Sequence, residues 1–174
     1  MTVNEAMLVT RAQADPHQFD ALYDSYVDRI FAYAMRELRD RDTAKEVTAI
    51  TFEKAMKALP KYEDRGISFG AWLYRIAHNE IQNQRRRAAR SRPLFDRFRS
   101  KQNVERSVMQ REELTAVRVA LGELKQRDRD VLRLHYDEEL SAAEIAVVLN
   151  CSVDNVYVRL HRALKRLRER VNHG

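Results

Sequence analysis

The stretch "AWLYRIAHNEIQNQRRRAARSR" brings aromatic, amide and arginine side chains together. Read as a helix, its apolar spacing turns Phe69, Trp72, Leu73 and Ile76 inward and leaves Tyr74, Arg75, His78, Asn79, Asn83 and Arg86 to solvent. Aromatic faces stack on unpaired bases, amides read base edges, and guanidinium groups hold the phosphate backbone. A solvated helix face with one core tryptophan would have the same composition, so the stretch alone leaves both readings open.

A second stretch, "SAAEIAVVLNCSVDNVYVRLHRALKRL", runs from Ser141 to Leu167. Ser141 followed by Glu144 is a capping box, which starts a helix at about Ala142 and carries it to Leu149. Asn150 tolerates the left-handed conformation that ends a helix, and Ser152 is a good N-cap for the next one. In that next helix Val153, Val156, Leu160, Leu164 and Leu167 form a buried stripe, while Asp154, Val158, His161, Arg162 and Lys165 face away. Two helices joined by so short a turn have the form of a helix-turn-helix, whose second helix enters a major groove. Arg159, Arg162, Lys165, Arg166, Arg168 and Arg170 crowd this helix with only Glu169 opposing them in sequence, which suits a phosphate backbone. Val158 has two readings: contact with a thymine methyl group, or packing at the edge against the first helix.

Catalytic constellations are not expected. The chain has no glycine-rich phosphate loop and no His-Glu-x-x-His, and its five histidines are scattered. The single cysteine, Cys151, excludes an internal disulfide and a cysteine-based metal cluster. No enzyme activity, metal or cofactor is therefore expected.

The elements that position these residues follow from periodicity. "ADPHQFDALYDSYVDRIFAYAMRELRD" places Phe19, Leu22, Tyr23, Tyr26, Ile30, Tyr33 and Ala34 at helical spacing. "DTAKEVTAITFEKAMKALPKY" opens on a Thr43–Glu46 capping box and is stopped by Pro60. Its buried stripe is Ala44, Val47, Thr51, Ala55 and Ala58, which leaves Glu46, Ala49, Ile50, Glu53 and Lys57 on or near the outer face. An exposed Ala-Ile spot between charges fits a protein contact and equally fits an ordinary apolar surface patch. Residues 88 to about 110 have weak periodicity and high charge, the pattern of a linker with a short helix around Phe95 and Phe98. Two further amphipathic helices follow, one with Leu114, Val117, Ala120, Leu121 and Leu124, the other with Val131, Leu132, Leu134 and Tyr136.

The 174 residues, 44% apolar and 33% charged with four glycines and three prolines, fit an all-α chain with real cores. The expectation is two small helical bundles, 1–90 and 111–174, joined by a flexible linker at 91–110, the C-terminal one containing the helix-turn-helix. A net charge of +6 suits a polyanionic partner. No basic-then-apolar leader and no apolar run of bilayer length is present, so a cytoplasmic protein is expected.

"FDALYDSYVDRIFAYA", "DTAKEVTAITFEKA", "FGAWLYRIAHNEIQNQRRR" and "LSAAEIAVVLNCSVDNVYVRLHRALKRLR" together resemble the bacterial RNA polymerase sigma factors of the extracytoplasmic-function (ECF) type. The Trp-Leu-x-x-Ile-Ala-x-Asn spacing from Trp72 to Asn79 and the terminal Glu-Ile-Ala and His-Arg-Ala-Leu phrases are the specific part. The resemblance implies that the first domain binds the clamp of core RNA polymerase through Glu46, Ala49, Ile50 and Glu53. It implies that Trp72, Tyr74, Arg75, His78, Asn79, Asn83 and Arg86 melt and read the downstream promoter element as single strand. It implies that Ser152, Asp154, Asn155, Tyr157, Val158, Arg159, His161 and Arg162 enter or flank the duplex of the upstream element. An anti-sigma factor covering these surfaces is a further implied partner.

Two positions depart from the family pattern. Ala49-Ile50 stands where the family usually has a Gln-Glu pair, and Asn83 where an aspartate is frequent. The first implies weaker or rearranged polymerase contacts, the second a changed base preference. Two rivals stand beside the sigma reading: a dimeric duplex-binding regulator, which predicts palindromic half-sites, and a protein adaptor, which predicts no salt-dependent DNA affinity.

Overall fold

The computed structural model describes residues 3–64, 66–91 and 119–172. Among them every regular element is a helix: α1 (Val3–Ala14), α2 (Phe19–Leu38), α3 (Arg41–Ala58), α4 (Phe69–Ser91), α5 (Gln126–Tyr136), α6 (Ala142–Leu149) and α7 (Val153–Asn172). Two compact units result, one of residues 1–90 with 143–150, the other of 91–142 with 151–174.

In the first unit α2 and α3 pack side by side and α4 lies against both. Leu22, Ile30, Tyr33, Ala44, Val47, Ala55, Phe69, Leu73 and Ile81 are buried, as the apolar spacing requires. On α2 Tyr26 is only half-buried and Tyr23 stays exposed, its ring tilted against Phe52 with centroids 4.7 Å apart. On α3 Ala58 is exposed, not buried, because the helix ends there and passes into a 3-10 turn at Leu59–Lys61 around Pro60. The expected Thr43–Glu46 box does not start α3. Asp40, three residues earlier, accepts from the Thr43 backbone amide at 2.8 Å, so the helix begins at Arg41. Arg39, at φ 57°, ends α2 and turns the chain into that cap.

Helix α1 precedes the first element the spacing revealed. It buries Val9 and Ala12, and its Gln13 amide donates to the Leu59 and Tyr62 carbonyls at 3.0 and 2.8 Å. That bond pair ties α1 to the end of α3.

In the second unit α5 packs on α7, with Val131, Leu134, Val156, Leu160 and Ala163 buried. The Arg129 guanidinium donates to the Gly122 and Leu124 carbonyls and closes the turn before α5. Tyr136, expected inward, is 58% exposed at the helix end. Ala120 and Leu124 are buried as expected; Leu114, Val117 and the helix expected around Phe95 and Phe98 lie outside the described residues. Helix α4 continues to Ser91, so the first residues assigned to the linker are helical.

Helix α6 starts directly after Ser141 and ends at Leu149, followed by Asn150 at φ 49°, Cys151 and Ser152. These bounds match the capping chemistry read from the sequence.

Candidate nucleic-acid interface

Helix α4 is held at its start by two side chains. Ser68 Oγ accepts from the Ala71 amide at 3.2 Å, the N-cap contact. Glu5 Oε1, from α1, accepts from the Gly70 amide at 3.1 Å and from the Tyr26 hydroxyl. A Cβ on Gly70 would lie 2.9 Å from the Tyr26 ring, so the close approach of α2 to α4 requires glycine here. Burial, followed by the Glu5 hydrogen bond and charge, raises the Tyr26 phenol well above its ordinary range and keeps it a donor.

Beside this start lies an aromatic cluster. The Tyr62 and Trp72 rings are 4.9 Å apart, Phe69 and Trp72 5.2 Å, and Tyr62 and Phe69 5.7 Å. Phe69 is buried, whereas Tyr62 and Trp72 are half-exposed. Burial first, then the nearby Asp64 and Glu5 charges, pushes the Tyr62 phenol up to about 12. Trp72, read as core from its spacing, thus presents part of its ring to solvent next to the loop before α4.

From there Arg75, Asn79 and Arg86 are exposed, with Asn83 half-buried beside them. Spacings of three and four put Trp72, Arg75, Asn79, Asn83 and Arg86 on one stripe. Asn83 Oδ1 accepts from the Arg86 guanidinium at 2.7 Å, and its amide donates to Glu80 at 3.3 Å. The stripe therefore carries hydrogen-bonding and cationic groups in an ordered row.

Two of the expected residues are not on it. Tyr74 is fully buried, edge-on to Tyr33 at 5.4 Å, and His78 is 8% exposed with Nδ1 2.9 Å from the Tyr33 hydroxyl. The cause is the width of the packed face. Because α4 lies against α2 and α3 at once, its buried arc covers Leu73, Tyr74, Ala77, His78 and Ile81, and residues at the edge of a narrow stripe become core. Lys54 to Glu80 at 2.5 Å and Arg85 to Glu37 are the ion pairs that fix this placement.

Sequence reasoning passed over Gln82, Arg90 and Tyr62. Gln82 and exposed Arg90 extend the stripe at the same spacing, a signal present in the sequence; the Tyr62 contact with Trp72 depends on a loop and had none.

On α3 the outer face is as read. Glu46, Ala49 and Glu53 are exposed and Ile50 is half-buried. Glu46 accepts from the Gln84 amide at 3.2 Å, and Glu53 pairs with Lys57 one turn on, which lowers its carboxyl below the usual range.

On α7 Ser152, Asp154, Asn155, Tyr157, Val158, His161 and Arg162 are exposed and Arg159 is half-buried. Ser152 Oγ accepts from the Asn155 amide at 3.2 Å, so its hydroxyl serves the cap. Val153, expected inward, is 39% exposed at the first helical position. The cations at the far end have partners that the sequence did not reveal: Arg166 pairs with buried Asp128 and Arg170 with Glu123. Two of the helix's cations are thus engaged within the fold.

The family model for Sigma-70 region 2 matches residues 22–91, and that for Sigma-70 region 4 matches residues 114–167. The RNA polymerase sigma-H factor of Pseudomonas aeruginosa is 31% identical over 91% of this chain and 89% of its own length. The chain belongs to the ECF-type RNA polymerase sigma factors. YlaC of Bacillus subtilis is 30% identical over 85% of the chain and 88% of its own length. Against the ECF sigma factors BldN of Streptomyces coelicolor (28% identical) and SigD of Mycobacterium tuberculosis (33%), 92% and 75% of this sigma factor align. It spans just under two thirds of the length of those two relatives, 63% and 62%.

Among solved structures, CnrH in complex with the cytosolic domain of CnrY matches with a TM-score of 0.70 at 27% identity, covering 97% of both chains. RpoE of Bartonella quintana, in complex with the anti-sigma factor NepR, matches in fold with a TM-score of 0.66 at 23% identity over 88% of this sigma factor and 96% of that chain. Among the described residues no helix is long and apolar enough to cross a membrane.

Proposed function

We propose that this sigma factor binds core RNA polymerase in the cytoplasm and directs promoter-specific initiation, with the chemistry left to the polymerase. Residues 1–90 would bind the polymerase and open the downstream element, residues 91–110 would link, and residues 111–174 would read the upstream element. The observation that carries this reading is the α4 stripe: Trp72 beside a capped helix start, followed by exposed Arg75, Asn79 and Arg86 with Asn83 between them. A half-exposed aromatic ring next to amides and guanidinium groups suits unpaired bases better than duplex DNA. Opening a few base pairs costs several kcal/mol, which stacking of each extruded base offsets by roughly 1–3 kcal/mol. Tyr74 and His78 act in this scheme from inside, by setting the position of α4, and not by touching bases.

The outer face of α3, Glu46, Ala49, Ile50 and Glu53, is the surface offered to polymerase. Its charge pattern is diluted by Ala49 and Ile50, so this contact would rest more on apolar burial than on ion pairs. A regulatory protein that covers the sigma surfaces, as an anti-sigma factor does, fits the likeness to CnrH, which was solved in a complex.

Co-purification with bacterial core RNA polymerase, followed by run-off transcription on DNA upstream of the chain's own gene, tests the reading. Specific initiation that is lost in a joint Asn79→Ala and Arg86→Ala variant, with polymerase binding retained, supports it. Tight sequence-specific duplex binding by the chain alone, without polymerase binding, would replace it with the duplex-binding regulator.

A further inference from the structure

Val158 sits on the outward face of α7, in its N-terminal half. Its neighbours one turn away on either side are Asp154 and Arg162, with His161 and Lys165 beside them, all exposed. The buried residues Val156, Leu160 and Ala163 lie on the opposite side of the helix. Val158 itself is 45% exposed, so a large part of its side chain faces solvent. Tyr157, 60% exposed, extends the apolar surface to one side.

A β-branched residue is a poor choice for an open, solvated helix position, where lysine, glutamate or arginine would serve better. The site around it is charged to suit a polyanion: Arg159 and Arg162 flank Val158, and the competing acidic partners Asp128 and Glu123 are engaged further along by Arg166 and Arg170. A polyanion that also offers an apolar group at groove depth is duplex DNA. Valine has no donor or acceptor, so it cannot bond to guanine, adenine or cytosine edges and would only dehydrate them. The thymine C5-methyl is the one apolar group on a major-groove base edge.

We propose that Val158 is a specificity residue that selects thymine in the upstream promoter element by contact with its methyl group. This inference rests on the reading of α7 as the helix that enters the upstream element, and it adds which base the N-terminal half of that helix prefers. Asp154 and Arg162, one turn to each side, would read the flanking bases through hydrogen bonds.

The test uses the full chain bound to core RNA polymerase. Duplexes are selected from a random library, and the best is resynthesised with deoxyuridine in place of each thymine in turn, which removes one methyl group and nothing else. At one or two positions deoxyuridine should weaken binding about fourfold, the worth of burying one methyl group. In Val158→Ala, thymine and deoxyuridine duplexes should bind alike. Alanine is the better helix former, so circular dichroism should show α7 intact in that variant.

A selected site without a methyl-sensitive thymine, or a methyl effect unchanged in Val158→Ala, overturns the role of Val158 and leaves the sigma reading standing. If no sequence is enriched although the chain binds polymerase, both fall.

Discussion

The hydroxyl of Tyr33 and Nδ1 of His78 lie 2.9 Å apart in the core between α2 and α4. The Tyr33 ring also meets Tyr74 edge-on, and the Arg29 guanidinium lies over the Tyr74 face at 5.8 Å. These contacts make Tyr74 and His78 parts of the scaffold under the α4 stripe. Tyr33→Phe removes one partner of a buried polar pair and should cost about 1–3 kcal/mol of stability. Tyr74→Ala, which empties a fully buried aromatic site, should cost about 3–5 kcal/mol. Chemical denaturation checks both. A Tyr74 variant that kept full stability while losing promoter opening would return Tyr74 to the bases.

The join between α1, α2 and α4 gives a second expectation. Gly70→Ala places a methyl 2.9 Å from the Tyr26 ring, and the ring cannot yield without disturbing its bond to Glu5. Overpacking of this kind costs roughly 1–3 kcal/mol. Trp72, two residues on and packed against Tyr62 and Phe69, is the only tryptophan and so reports the change. A lowered Tm together with shifted tryptophan emission is expected; unchanged values would mean that the helices separate freely at Gly70.

How much of this was legible in sequence depends on what each residue's neighbours needed to be. The bounds of α6 and the Asn150–Ser152 turn were readable because capping preferences are local: the residue types that start and end a helix lie within one turn of its ends. The α3 start was misread although it too is local, since Asp40 and Thr43 both qualify as caps and only the left-handed Arg39 decides between them. Tyr74 and His78 were misplaced because periodicity assumes one packed stripe, whereas α4 is packed on two sides. The acidic partners of Arg166 and Arg170 come from residues 128 and 123, too distant in sequence for any spacing rule to connect.

Acid should act on the α3 cap. Thr43 side-chain and backbone hydrogen bonds hold the Asp40 carboxyl below its ordinary value of 3.8. The folded pKa is depressed, so the stabilisation is fully present above the unfolded value and is lost as pH falls through the folded one. The α3 N-terminus should therefore be well capped at neutral pH and fray below about pH 4. Asp40→Asn keeps the acceptor and removes the titration, so its helix content should stay level across that window, whereas wild type declines. Amide signals of Arg41 to Ala44 followed by NMR from pH 6 to 2.5 provide the check; parallel curves for the two proteins would refute the cap's role.

Arg162 and Arg166 lie one turn apart on α7 in different surroundings. Arg162 is exposed on the same face as Val158, whereas Arg166 reaches to Asp128 on α5, which is only 7% exposed. Arg162→Ala should weaken specific duplex binding by the polymerase complex by about 1–3 kcal/mol and leave Tm nearly unchanged. Arg166→Ala should do the reverse. It strands a buried carboxylate at a cost of about 1–3 kcal/mol in stability, with DNA affinity altered only as far as the fold loosens. If Arg162 touches a phosphate, its loss also lowers the salt slope of binding by about one and weakens all sequences alike; if it reads a base, the slope holds and discrimination at one position relaxes. Binding titrations at several salt concentrations, run beside thermal melts, separate the two arginines. A loss of DNA affinity without loss of stability in Arg166→Ala would show that the Asp128 pair opens when α7 meets DNA.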